Sequence, residues 1–353
     1  MYVSGMFDNI PSGTDKIEIR RKMNSQLSEA RRNAKPSKCI LCGKEQTSFC
    51  NSHSVPQMSL RAIAKDGKLL QASAAMRFDF VDLQKGVYNS GTFSFICREC
   101  DSRCFQEYED PYHLVNYPTD KLLAEIAMKN MIQWLSKRAV EKELYRIMQR
   151  ETGSFEDLEL LLSMKSKDEN EFVSELSFHR AIADQDTGGE YVVICEEVLP
   201  YKIPIAAQGA IVLNNDLEGN TVNNVYEQNA SVRMQYLHIG VFPLDVGSVI
   251  LVFCHKRDTA YDKFRQQFLQ MSKDRRLAYL NYLVFAYMEN YFISPEIKSE
   301  IESNEKLQQL SLEVNGQPDM GMLNANNMFG IGYKPVMMDE IPNFLAKEWA
   351  LPK

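Results

Sequence analysis

The sequence is short of the features that mark the commonest functional classes. No apolar run approaches the roughly 20 residues needed to cross a bilayer, so no membrane span or membrane partner is expected. Met1 to Ser12 has no basic start followed by an apolar stretch, so no secretory signal is read there. There are no internal repeats and no glycine-rich phosphate loop. Positive charge is not in excess: 40 Lys and Arg against 47 Asp and Glu leave a net charge of −7. That balance argues against a general nucleic-acid coat but leaves room for a local basic face. Histidines number only 5 in 353 residues, so one placed inside a polar motif stands out.

What remains is ordinary soluble composition, 44% hydrophobic and 25% charged, on a chain long enough for two or three domains. The informative residues are the cysteines. Of 8, four fall in two Cys-x-x-Cys pairs, Cys39/Cys42 and Cys97/Cys100. Each pair is a tight turn aiming two thiolates at one point, and two pairs supply the four sulfurs of a closed tetrahedral zinc site. Such usage fits metal binding in a reducing cytoplasm better than disulfides. Cys50, Cys104 and His53 stand close enough in sequence to form a competing ligand set. Cys195 and Cys254 lie in apolar strand-like runs and read as buried core.

Along the chain, Asp15 to Ala34 reads as a basic helix, open either as a phosphate-contacting arm or as a solvated surface helix. Pro56 opens a short helix from Gln57 to Ala64, and Asp66-Gly67 is a turn. Thr92 to Ile96 is a short strand into the second knuckle, and Asp101 reads as the cap of a helix carrying Phe105 and Glu107. Leu122 to Met148 is a strong helix. Phe155 to Met164 reads as another, ended by a polar turn over Ser166 to Asn170. Tyr191–Val198, Ala210–Leu213, Val232–Val241 and Val249–Cys254 read as strands, followed by helices over Thr259–Met271 and Arg275–Tyr291. The expected class is α+β: a small zinc-bound ββα or treble-clef module, then helices, then a β-rich domain with a C-terminal helical pair. The expected divisions are a basic arm at 1–36, the zinc module at 37–118, a helical connector at 119–175, the β-rich domain at 176–297 and a polar tail at 298–353.

The order Cys-x-x-Cys, Ser52-His53-x-x-Pro56, Cys-x-x-Cys-Asp101 resembles the zinc-bearing branch of the HNH, or ββα-metal, endonucleases. That resemblance implies a nuclease that hydrolyses DNA phosphodiester bonds. It makes His53 the general base and Asp101 the helix ligand of a catalytic Mg²⁺ or Mn²⁺ ion, whose shell Glu107, Glu109 or Asp110 would complete. Two positions depart from the pattern. Ser52 stands where the family places an acid or histidine, and Thr92, with Asn89 nearby, stands at the middle Asn. The wider layout, with Leu60, Phe105, Glu109 and the segment Glu289-Asn290-Tyr291…Ser294-Pro295, is similar to a group of uncharacterised bacterial proteins, which implies a setting in phage defence. The other reading is a non-catalytic zinc-binding interaction or sensor protein. Expected partners are nucleic acid, DNA first, and a protein partner or second copy.

Overall fold

The computed structural model describes residues 16–72, 81–153, 158–185, 188–225, 227, 229, 231–312 and 336–352. Residues 1–15 of the expected basic arm and 313–335 of the expected polar tail lie outside the described residues. The arm is helix α1 (Lys16–Asn33). Strand β1 (Ser52–His53), helix α2 (Gln57–Ile63), strands β2 (Lys68–Ala72), β3 (Val81–Gly86) and β4 (Thr92–Phe93), and helix α3 (Arg98–Cys104) follow. A short helix α4 (Pro111–Leu114) leads to the long α5 (Asp120–Thr152) and α6 (Leu158–Gln185). Strands β5 (Tyr191–Leu199), β6 (Ile205–Ile211), β7 (Leu237–Pro243) and β8 (Ser248–His255) come next. Helices α7 (Tyr261–Leu269) and α8 (Lys273–Tyr287), strand β9 (Tyr291–Ile293) and helices α9 (Lys298–Ser303) and α10 (Glu305–Leu312) complete the order. The mixed α and β class expected from sequence is met. No described helix is long and apolar enough to cross a membrane.

One seven-stranded sheet, ordered β3-β2-β9-β6-β7-β8-β5, joins the halves, and all its pairs are antiparallel. β2 comes from the 37–118 segment and β9 from the 176–297 segment, so strands from both share the sheet. Every residue of β6, β7 and β8 is buried, because helices cover both faces. Alternate residues of β8 serve opposite layers. Val249, Leu251 and Phe253 join a core with Ile126, Ala127 and Met131 of α5, while Ile250 and Val252 pack with Phe264, Leu280 and Val284 of the α7–α8 pair.

Helix α5 is positioned at its start by Thr119, whose Oγ1 accepts from Leu122 N at 3.1 Å. It stops at Gly153, which takes the left-handed φ of 71°. The polar turn expected at Ser166–Asn170 is instead the interior of α6. Those polar residues face α5 across a helical hairpin: Asp168 accepts from Arg138 Nε at 2.9 Å, and Lys142 pairs with Glu169. Cross-helix pairing outweighed the local turn preference. Asp101 lies inside α3 and Cys97 caps it, so the expected capping by Asp101 does not occur; its carboxylate is held elsewhere, as described below. Helix α1 docks on the C-terminal half of α5 through Leu27 and Ala30, packed with Val140, Leu144 and Ile147, and through Arg150–Glu29 at 2.9 Å.

Histidines 179, 238 and 255 are buried between α6 and the sheet. His238 Nδ1 lies 3.1 Å from Asn130 Nδ2, and its ring stacks on Phe253. Burial, with nearby His255, Arg233 and Arg257, pushes the His238 pKa down to about 3. Burial and Arg257 push His255 down to about 4 against the opposing Glu190. Both rings are therefore neutral in the fold and take up protons on unfolding once the pH falls below their free value near 6.5. Stability is full above that value and should fall as pH drops from about 6.5 toward 4, by about 1.4 kcal/mol per pH unit for each proton taken up. Urea denaturation across that range should show the slope, and His238→Gln, which cannot titrate, should flatten it by about one proton.

Candidate metal centre

The first knuckle is a tight hairpin. Cys39 N donates to Lys44 O at 3.0 Å, and Gly43 N returns to Cys39 O at 2.8 Å, with Gly43 in the left-handed region at φ 70°. The second knuckle is the N-terminus of α3, with Cys97 as cap and Cys100 in the first turn. Ile40 N to Phe95 O at 3.2 Å and Cys50 N to Ile96 O at 2.9 Å lay the two knuckles side by side. The sulfurs of Cys39, Cys42, Cys97 and Cys100 all come within 4.8 Å of one another. Cys42 Sγ and Cys97 Sγ are 3.9 Å apart. A tetrahedral zinc with Zn–S near 2.3 Å requires sulfur–sulfur edges of about 3.8 Å, so the donor set fits.

The thiols of this set cannot all ionise alone. Burial pushes the Cys39 thiol up, but backbone N–H donors from Cys42, Cys97 and Leu41 outweigh it and bring it to about 7. Burial and neighbouring sulfurs push Cys97 and Cys100 up. A divalent cation removes that conflict by neutralising the thiolates together. Neither Cys50 nor Cys104 belongs to the cluster. Cys50 Sγ instead donates to Asp101 Oδ2 at 3.1 Å, and burial with the nearby carboxylate pushes its thiol up to about 11.

Beside the sulfurs, β1 pairs antiparallel with β4, with His53 opposite Thr92, and α3 follows β4 in the chain. This is a ββα arrangement with His53 on a strand and Asp101 on the helix. His53 is half-buried, and its Nε2–H donates to Val87 O at 3.1 Å, which leaves Nδ1 as the basic nitrogen. Burial lowers the His53 pKa, with Lys129 and Arg61 adding to the fall and the Val87 carbonyl and Asp101 opposing it. Its neighbours are held independently. Ser54 Oγ donates to Asn290 Oδ1 at 2.8 Å, and Ser54 N donates to Gly91 O at 2.9 Å.

Asp101 is surrounded by donors. Its Oδ1 accepts from Ser52 Oγ at 2.6 Å and from Lys129 Nζ at 3.0 Å, while Oδ2 accepts from Cys50. Burial raises the Asp101 pKa, but Lys129, Ser52 and Cys50 together hold it below the ordinary carboxylate value. Lys129, from α5, is 0% exposed. It also reaches Ser52 Oγ at 2.9 Å and Glu109 at 3.3 Å, and sits 3.8 Å from the Phe105 ring centre. Glu107 is directed elsewhere, accepting from Thr119 Oγ1 at 2.8 Å and pairing with Lys121 at 2.9 Å. α3 ends at Cys104, so the helix expected to carry Phe105 and Glu107 stops short of both. A Mg²⁺ or Mn²⁺ ion needs several open, mostly anionic oxygens at about 2.1 Å. Both Asp101 oxygens already carry donors, the Lys129 ammonium among them, and Ser52 offers a neutral hydroxyl, so a second ion here would have to compete with an ammonium already in place.

Lys129 and the Val87 carbonyl are the parts that sequence reasoning missed; Asn290 was marked only as part of the wider layout, without a role at this site. Lys129-Asn130 interrupts an apolar run, Ile126 to Ile132, and that interruption is the signal that could have found the lysine.

Two outcomes test the centre. Purified chain should hold one zinc, and Cys42→Ala or Cys100→Ala should lose it together with most of the module's resistance to proteolysis. Gly91 sits at φ 63°, and an added Cβ would lie 2.4 Å from Phe292 and 2.7 Å from Ser54 Oγ. Gly91→Ala should therefore cost on the order of 2–4 kcal/mol in urea denaturation. No family model, curated protein or solved structure matches this chain.

Proposed function

We propose that the chain is a zinc-stapled, HNH-like protein that recognises nucleic acid, DNA first, as a non-catalytic binding or sensing unit. The observation that carries this reading is the Asp101 carboxylate, closed by Ser52, Cys50 and the fully buried Lys129. Metal-assisted phosphodiester hydrolysis needs an ion that polarises the phosphate and stabilises the leaving oxygen, and the carboxylate best placed to hold one already pairs with an ammonium. The surface beside His53 supports the choice of partner. Tyr88 is 69% exposed, its backbone carbonyl is held by Asn51 Nδ2 at 3.1 Å, and the Arg61 guanidinium lies 5.9 Å from its ring centre. An exposed aromatic face beside a cation suits a stacked base and its phosphate. The phage-defence setting rests on the sequence resemblance alone.

A second reading, hydrolysis of DNA with His53 as general base, is favoured by one specific observation. The imidazole is kept neutral, oriented by a carbonyl and flanked by two clamped serines. Such preorganisation is what a base requires.

Zinc-loaded protein should shift single-stranded DNA in a gel, and the binding should weaken steeply with salt. Tyr88→Ala should cost about 1–3 kcal/mol of affinity. No cleavage should follow with or without added Mg²⁺ or Mn²⁺. Cleavage by the wild type that disappears in His53→Ala would replace the first reading with the second.

A further inference from the structure

Three atoms close a triangle beneath His53. Ser52 Oγ to Asp101 Oδ1 is 2.6 Å, Lys129 Nζ to Ser52 Oγ is 2.9 Å, and Lys129 Nζ to Asp101 Oδ1 is 3.0 Å. Glu109 lies 3.3 Å from the same ammonium, and Phe105 closes another side at 3.8 Å. Residue 52, just before the histidine, and residue 101, just after the second knuckle, are the two positions at which the resemblance places ligands of a divalent ion. We infer that Lys129 is this module's built-in second cation: its ammonium takes the place between Ser52 and Asp101 and makes the pocket independent of added Mg²⁺ or Mn²⁺.

The three residue types form one solution. An ammonium has three donors and no acceptor, so it must be surrounded by acceptors when buried. Asp101, Ser52 and Glu109 supply three, and the Phe105 face covers the rest. A serine at position 52 both accepts from Lys129 and donates to Asp101. An acid there could only accept, and would set a third carboxylate against one ammonium. The departure at Ser52 and the lysine on α5 are thus two sides of one exchange. Because Lys129 is fully buried, it acts through Asp101 and Ser52 and not on any ligand. Its role is to hold β1, α3 and α5 in register beneath His53.

This inference concerns ion binding and stands whether or not the protein binds or cuts nucleic acid. Zinc-loaded full-length chain is titrated with Mn²⁺, followed by electron paramagnetic resonance and by thermal unfolding. Wild type should show no saturable site below millimolar Mn²⁺ and no shift in Tm. Lys129→Ala opens the space beside Asp101 and should gain one Mn²⁺ site, at least tenfold tighter than any wild-type binding, with a Tm that rises on adding Mn²⁺. The double variant Lys129→Ala with Asp101→Asn should lose that gain. A saturable wild-type site removed by Asp101→Asn would overturn the inference, and so would a folded Lys129→Ala chain with no gain. If Lys129→Ala does not fold, the wild-type and Asp101→Asn titrations alone decide it in the same way.

Discussion

Four sulfurs converging on one point hold together a module whose own backbone pairing is thin. Its local sheet is two residues of β1 against two of β4, and α3 is seven residues long. A two-stranded piece of that size is not stable in isolation, and neither is a two-turn helix. Cys42 and Cys97 are 55 residues apart, so joining them closes a long loop before any local contact can repay its ordering. An ion held by the four sulfurs would therefore set where α3 begins and which way it points. Asp101 follows directly after the last cysteine of the cluster, so its direction would depend on a metal held there even though it does not belong to that shell.

The second constraint is a charge that has no route to water. Lys129 sits on the face of α5 that meets the module, and the cost of burying it is met by Asp101, Glu109 and Ser52. The polar seam does not end there. Asn130 Nδ2 meets His238 on β7, Asn130 Oδ1 accepts from Gln208 on β6 at 3.1 Å, and Asn290 Nδ2 donates to the Gln208 carbonyl at 2.7 Å. Asn290 returns to Ser54 beside the histidine. A connected set of buried hydrogen bonds tolerates little slippage, because each broken bond leaves a polar group without water. Apolar packing alone would permit α5 to slide over the sheet; this seam sets its register against both the sheet and the module.

Much of this was legible in sequence where the signal is local. The Cys-x-x-Cys pairs name their own ligands, the apolar run of β8 announces a strand covered on both faces, and the periodicity of α5 gives the helix. Where the outcome depended on partners far along the chain, the local reading went astray. Ser166 to Asn170 has turn composition, but Asp168 and Glu169 find cations on α5 and the helix continues. Asp101 has the composition of a cap, but Lys129, 28 residues on, takes its carboxylate. The hairpin β2–β3 lies within the zinc segment, yet it extends a sheet whose other strands arise more than 100 residues later, and nothing in its own residues specifies β9 as its neighbour. The bacterial layout did carry Asn290 as a marked residue, but only the fold shows why: it fastens the serine that follows His53.

The three residues Ser52-His53-Ser54 then explain one another. Side chains alternate along an extended strand, so a histidine between two serines is turned away from whatever holds them. Ser52 is fixed from α3 and α5, and Ser54 from the segment before β9. The imidazole is left on the opposite side with Nε2 committed to Val87 and Nδ1 available. With the internal cation sealed beneath Ser52, positive charge for an anionic ligand at this face must come from the surface, and Arg61 is the exposed cation beside Tyr88. A site built this way orients a ligand by stacking, by one guanidinium and by a neutral imidazole. On the proposed reading, an ammonium that cannot move to meet a developing charge favours holding a ligand over breaking it.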